Sequence, residues 1–202
     1  MTDFFDLLRE PRRPWLDPEA LKQNFFALSS GVHPDRIHSS SENEKAAGNR
    51  RFAELNAAYN CLREPKSRLL HLLQLERGSK PEDIHQLPQA LSDLFLEIAT
   101  LCRQVDRFIA ERQRVVSPLA QVKQFEQAHE QADLLGKFGS QLREFHERLI
   151  VDLKSVDAEW MTGPSAATRS GLLTRLEELY RSFGYFNKWN SQIQERIIQL
   201  TL

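Results

Sequence analysis

The apolar residues of this chain recur with the period of a helix along nearly its whole length, and almost no segment alternates with the period of a strand. A half-buried strand needs alternation at every second residue, because successive side chains point to opposite faces; spacings of three and four instead gather side chains on one face of an α-helix. Leu21, Phe25, Leu28 and Val32 follow one another at spacings of four, three and four, and Phe52, Leu55, Tyr59 and Leu62 at three, four and three. These stripes predict an all-α chain.

Punctuation divides the stripes into elements. A short helix over about Asp3 to Glu10 ends before Pro11 and Pro14. Asp17-Pro18-Glu19 then supplies an N-cap, a proline whose missing N–H costs nothing at the first helical position, and an acid in the first turn. Gly31 weakens the helix that follows, and Pro34 disfavours the α conformation at His33, so it stops at about Val32. A third helix runs from after SSSENE to about Leu62, and the second and third can pack as an antiparallel pair. The loop between them, about ten residues, is long for a hairpin, and long loops in compact domains tend to be functional. Pro65 opens a fourth helix whose Leu69, Leu70, Leu72, Leu73 and Leu75 need burial on two sides.

Gly78, Pro81 and Pro88 mark a corner. Beyond it three long helical patterns, about Pro88 to Arg114, Pro118 to Lys154 and Ser165 to Leu200, are separated by SPL and MTGPSA. At about 1.5 Å per residue they are rods of roughly 40 to 50 Å, and short connections make them an antiparallel three-helix bundle. The expected organisation is an N-terminal helical domain over 1–76, a linker over 77–88 and a C-terminal bundle over 89–202.

Composition narrows the function. The 202 residues, 41% hydrophobic, suffice for one or two cores. Lys and Arg number 27 against 28 Asp and Glu, interspersed, so no basic face is expected and nucleic acid is not a partner. No apolar run is long enough to span a bilayer, and MTDFFDLLRE carries acids where a secretory leader has bases, which points to a cytoplasmic protein without a membrane partner. Cys61 and Cys102 stand alone, with no CxxC pair, so neither a disulfide framework nor a structural zinc site is indicated.

The chemistry-bearing feature is His33-Pro34-Asp35, in the loop between the paired helices. Pro34 has a fixed φ and holds the side chains of His33 and Asp35 in defined directions at the hairpin tip. General acid–base work would require a third group or a pocket, and a metal set of His33, Asp35 and His38 lacks a fourth ligand and a recurrent spacing. No catalytic residue, metal or cofactor is assigned, and on the residues alone the segment is a polar loop.

Its surroundings say more. FFDLL near the start, LDPEALKQNFFALSSGVHPDR ending on the triplet, and FAELNAAYNCLREPKSRLLHLL after it resemble the J domain of the DnaJ superfamily, with Asn56 to Arg68 similar to the passage from third to fourth helix. The step from LHLLQLERG straight into a helical C-terminal bundle resembles the HscB family, the J-type co-chaperones of iron–sulfur cluster assembly, and LEELYRSFGYFNKWNSQIQERI is similar to that family's last helix. The resemblance implies a non-enzymatic co-chaperone that docks on a DnaK- or HscA-type chaperone, accelerates its ATPase and delivers an iron–sulfur scaffold protein. It assigns chaperone binding to His33, Pro34, Asp35 and Arg36, with Lys22 on the second helix, and scaffold binding to Leu91, Leu96 and Glu97 on the first bundle helix and Tyr185 or Phe186 on the last. Two departures stand out. No Lys or Arg lies between Lys22 and Arg36, where the family is basic, and Ser92 occupies a position where it carries methionine. Other readings of the same residues are a J domain with a different client, a helical interaction module with a vestigial triplet, and, last, a metal-dependent enzyme.

Overall fold

The computed structural model describes residues 2–32, 41–81, 92–113 and 117–201. Among these every regular element is a helix: α1 (Phe4–Leu7), α2 (Pro18–Ser29), α3 (Glu42–Arg63), α4 (Pro65–Arg77), α5 (Ser92–Arg112), α6 (Pro118–Met161) and α7 (Ala166–Thr201).

Most boundaries have a local cause. Asp17 caps α2 by accepting hydrogen bonds from the N–H groups of Glu19 and Ala20 at 3.0 and 2.9 Å, with Pro18 at the first helical position. Glu64 closes α3 and opens α4 in one extended conformation (φ −91°, ψ 120°), the region to which Pro65 restricts the residue before it. Gly78 ends α4 at φ 73°, a left-handed conformation that glycine adopts without strain.

Several boundaries differ from the sequence reading, among them the end of α2, which stops at Ser29 rather than about Val32. The first helix is shorter than Asp3 to Glu10: it stops at Leu7, and the chain turns through Arg9 at φ 57° ahead of Pro11. SSSENE is not wholly loop, because Ser41 and Glu44 close a capping box and α3 begins at Glu42. The sixth helix continues past Lys154 to Met161, close to Gly163 at φ 69°.

The chain divides into two compact units. One comprises Met1–Glu82 with Val151–Arg181, the other Asp83–Ile150 with Ser182–Leu202, so α6 and α7 each contribute to both. In the first, α3 packs against α1, α2 and α4, and Leu55, Ala58 and Leu62 of α3 are buried with Phe5, Leu21, Phe25, Leu69, Leu72 and Leu73. The linking segment 12–15 is held against α6. Arg13 donates to the Asp157 carboxylate through Nε at 3.0 Å and through its Nη2, the Trp15 N–H reaches the same carboxylate at 3.0 Å, and the Trp160 indole donates to the Arg12 carbonyl at 3.0 Å. In the second unit Phe95, Ile98, Cys102 and Val105 of α5 meet Leu135 and Leu142 of α6 and Ile193 and Leu200 of α7 in one core.

Candidate functional site

The hairpin that carries the triplet is built from an aromatic stack and a shared apolar face. Phe25 of α2 lies over Tyr59 of α3 with ring centroids 4.6 Å apart and planes 17° from parallel, beside buried Leu21, Leu55 and Leu62. α2 ends with the Ser30 N–H on the Phe26 carbonyl and a final turn from Val32 N–H to Ser29 carbonyl; α3 starts under Ser41. His33, Pro34, Asp35 and Arg36 fall between these two ends, outside the described residues. Lys22 is described and exposed on α2.

Arg68, the last residue of the Asn56 to Arg68 stretch, has a structural task. It is 2% exposed and donates through Nε to the Pro14 carbonyl at 2.7 Å and through Nη1 to the Leu62 carbonyl at 2.6 Å. Leu62 lies in the last turn of α3, whose carbonyls have no intrahelical partner, so one guanidinium ties the end of α3 to the segment between α1 and α2. Burial pulls the pKa of Arg68 down to about 10, which leaves it charged at neutral pH. The sequence pattern contained this arginine but not its burial, since arginine is ordinarily a surface residue.

On α5, Leu96 is 65% exposed and Glu97 is exposed beside it, while Leu91 lies outside the described residues. Their surroundings are mixed rather than acidic: Thr100 donates its hydroxyl to the Leu96 carbonyl at 2.8 Å and receives the Arg103 guanidinium at 3.1 Å. Tyr185 and Phe186 of α7 are half-buried and pack against the core of the second unit, Tyr185 at 5.9 Å from the Phe95 ring and Phe186 at 4.4 Å from that of His146. Trp189, not singled out in the sequence, stacks on Phe95 at 5.5 Å; its place one turn after Tyr185 was the available signal.

Among the described residues no three His, Cys, Asp or Glu side chains gather as a metal would require. Cys61 and His71 border a cleft of about 620 Å³, with the Cys61 thiol donating to the Ser67 carbonyl and raised in pKa by burial. His71 accepts the Phe4 N–H on Nε2 at 3.0 Å, and burial lowers its pKa, so the ring is neutral with its proton on Nδ1. None of the described helices is long and apolar enough to cross a membrane.

No family model matches the chain. Solved structures do. It is similar to the chaperone HscB from Vibrio cholerae, at 19% identity and a TM-score of 0.60 over 96% of each chain. It is also similar to the human co-chaperone protein HscB, at 21% identity and a TM-score of 0.57 over 98% of this chain and 81% of that one.

The chain has the HscB fold.

The HscB fold is all-α, an N-terminal J domain followed by a helical bundle, and the sequence had led to the same architecture. On this HscB fold the likeness extends over the J-type hairpin and the long helices alike, since it covers nearly the whole chain.

Proposed function

We propose that this chain is a J-domain co-chaperone that stimulates the ATPase of a DnaK- or HscA-type chaperone and delivers an iron–sulfur cluster scaffold protein to it. The observation that supports this reading is the place of one triplet: His33-Pro34-Asp35 falls in sequence between the two helices of the hairpin, in a chain whose whole length has the fold of two proteins named as a chaperone and a co-chaperone HscB. Residues 1–76 act as the J domain, 77–88 as the linker and 89–202 as the scaffold-binding part.

The chemistry belongs to the partner, and this protein is not an enzyme. Asp35 pairs with a cation on the ATPase, His33 adds a polar contact or braces the loop, and Pro34 fixes their directions. A desolvated charge-assisted contact of this kind contributes about 1.5 to 3 kcal/mol. Arg36 and Lys22 flank it. On the client side Leu91, with Leu96 and Glu97 of α5, meets the scaffold, joined by the half-buried Tyr185 and Phe186 of α7. The protein acts in the cytoplasm.

The test is the turnover of a purified DnaK- or HscA-type chaperone titrated with this protein. Stimulation is expected for wild type and its loss for His33→Gln and Asp35→Asn, with unchanged circular dichroism. A rate that wild type leaves unaltered, or that His33→Gln raises equally well, contradicts the proposal and favours a helical interaction module with a vestigial triplet.

A further inference from the structure

The first turns of α6 face outward with side chains of the kind that ordinarily fill a core. Leu119 is 83% exposed, Val122 61% and Phe125 65%, three large apolar residues within seven positions. On a helical projection they share one arc of about 140° with Glu126, Glu130 and Asp133. The core of the second unit closes without them, since Ala128, Leu135 and Leu142 are the buried share that α6 gives to it. Single exposed apolar residues are ordinary, but a contiguous group with a polar rim marks an interaction surface. Charge follows the apolar part along the helix. Glu126, Glu130 and Asp133 are exposed, and none of them has an ion-pair partner among the described residues. Lys123, at the edge of the arc, is the one lysine or arginine within 119–133, and Lys137 lies a turn beyond.

We propose that this arc docks a short, basic, amphipathic helix of another protein, with apolar side chains against Leu119, Val122 and Phe125 and Lys or Arg against Glu126, Glu130 and Asp133. The surface is on a different helix from Leu96 and Glu97, and the inference goes beyond the co-chaperone reading without resting on it. Charge complementarity selects the sign of the partner. Three carboxylates against one lysine within 119–133 favour a cationic segment, and guanidinium groups pair with carboxylates through bidentate hydrogen bonds. The same balance disfavours a second copy, whose arc brought face to face with this one would set six carboxylates against two lysines. Size selects the form of the partner. Three side chains expose at most a few hundred Å², below the about 800 Å² per partner of a stable interface between globular proteins, so a single helix laid along α6 fits where a globular face does not. Spacing sets its pattern: Glu126 and Asp133 follow Val122 by four and eleven residues, roughly 6 and 17 Å along the axis, so a helix lying alongside carries its bases at those distances from its apolar anchors.

The experiment follows the fluorescence anisotropy of a labelled synthetic helix, with leucines at spacings of three and four and then arginines over the next turns, titrated with the full chain. Wild type should bind it, and a peptide with glutamates in place of the arginines should bind at least about tenfold more weakly. Phe125→Ser should raise the dissociation constant about tenfold, whereas Leu96→Ser, on α5, should leave this binding within about twofold. Replacing the three carboxylates together, by Glu126→Gln, Glu130→Gln and Asp133→Asn, should weaken binding at low salt and flatten its salt dependence. Failure of wild type to bind the basic peptide overturns the inference, as does equal binding of the acidic one or a Phe125→Ser protein equal to wild type. Weakening by Leu96→Ser in place of Phe125→Ser assigns the peptide to α5 and overturns it too. Self-association of wild type in sedimentation, abolished by Phe125→Ser, gives the arc to a second copy with the same consequence. If a variant misfolds, the two peptides on wild type decide, with amide shifts on binding expected at 119–133 and their confinement to other residues contradicting the site. No chaperone or scaffold enters this titration, so its failure leaves the co-chaperone reading standing, and failure of the ATPase test leaves this inference standing.

Discussion

At the scale of single residues, two buried polar side chains hold the first unit together, and each can be tested. Arg68 satisfies the Pro14 and Leu62 carbonyls from a position 2% exposed. Arg68→Met keeps most of the volume but strands both acceptors, so it should lower stability by about 2 to 3 kcal/mol, read as a lower urea midpoint at unchanged slope. His71 gives a pH signature. Its folded pKa lies below 6.5, so under acid the unfolded chain takes up the proton first and stability falls as pH drops from about 6.5 towards the folded value. The same proton removes the lone pair that receives the Phe4 N–H, although Asp3, 4.0 Å away, partly offsets the charge while Arg12 adds to its cost. Melting temperatures of wild type and His71→Gln, compared from pH 7.5 to 5, should converge towards acid; parallel curves would remove His71 from the account. Neither role was legible beforehand, because a sequence shows an arginine and a histidine among leucines but not which carbonyl or N–H arrives from 50 or more positions away.

At the scale of elements, helix existence was legible and helix ends were not always. Asp17-Pro18 and Pro65 placed two starts correctly because their effect is local. The start of α3 was equally local and was overlooked: Ser41 and Glu44 have the spacing of a capping box, hidden in a tract that reads as low complexity. Ser41→Ala should cost about 1 kcal/mol and loosen the first turn of α3, visible as faster amide exchange at Glu44 and Lys45. The far end of α6 was placed short, at Lys154, although the stop signal is Gly163-Pro164. What lies in the extra turns matters, since Asp157 and Trp160 hold segment 12–15 there. Gly163→Ala, forced to φ 69°, should destabilise by about 1 kcal/mol in a thermal melt, more than Gly171→Ala within α7, which should stabilise slightly.

At the scale of the whole molecule, the all-α class followed from periodicity, but periodicity does not say which neighbour covers a stripe. α6 and α7 have nearly continuous apolar faces; Leu153, Val156 and Trp160 of α6 and Leu172 and Leu176 of α7 belong to the unit that contains α1 to α4, whereas Leu135, Leu142 and Ile193 belong to the core with α5. Pairs such as Arg169 with Glu76 at 3.0 Å, and Arg77 with Glu177, lie within the first of these units. The candidate sites were legible to different depths. The triplet announced itself by resemblance, Leu96 and Glu97 are exposed as a docking surface requires, and Tyr185 and Phe186 turned out half-buried because the same rings that could meet a client also close a core. The central claim is that one chain couples a client to a chaperone's ATPase. It is tested most directly by the steady-state ATPase rate of an HscA-type chaperone with this protein, with a cluster scaffold, and with both: the account expects the rate with both to exceed the sum of the separate increments, and a rate no higher than that of the chaperone alone would contradict it.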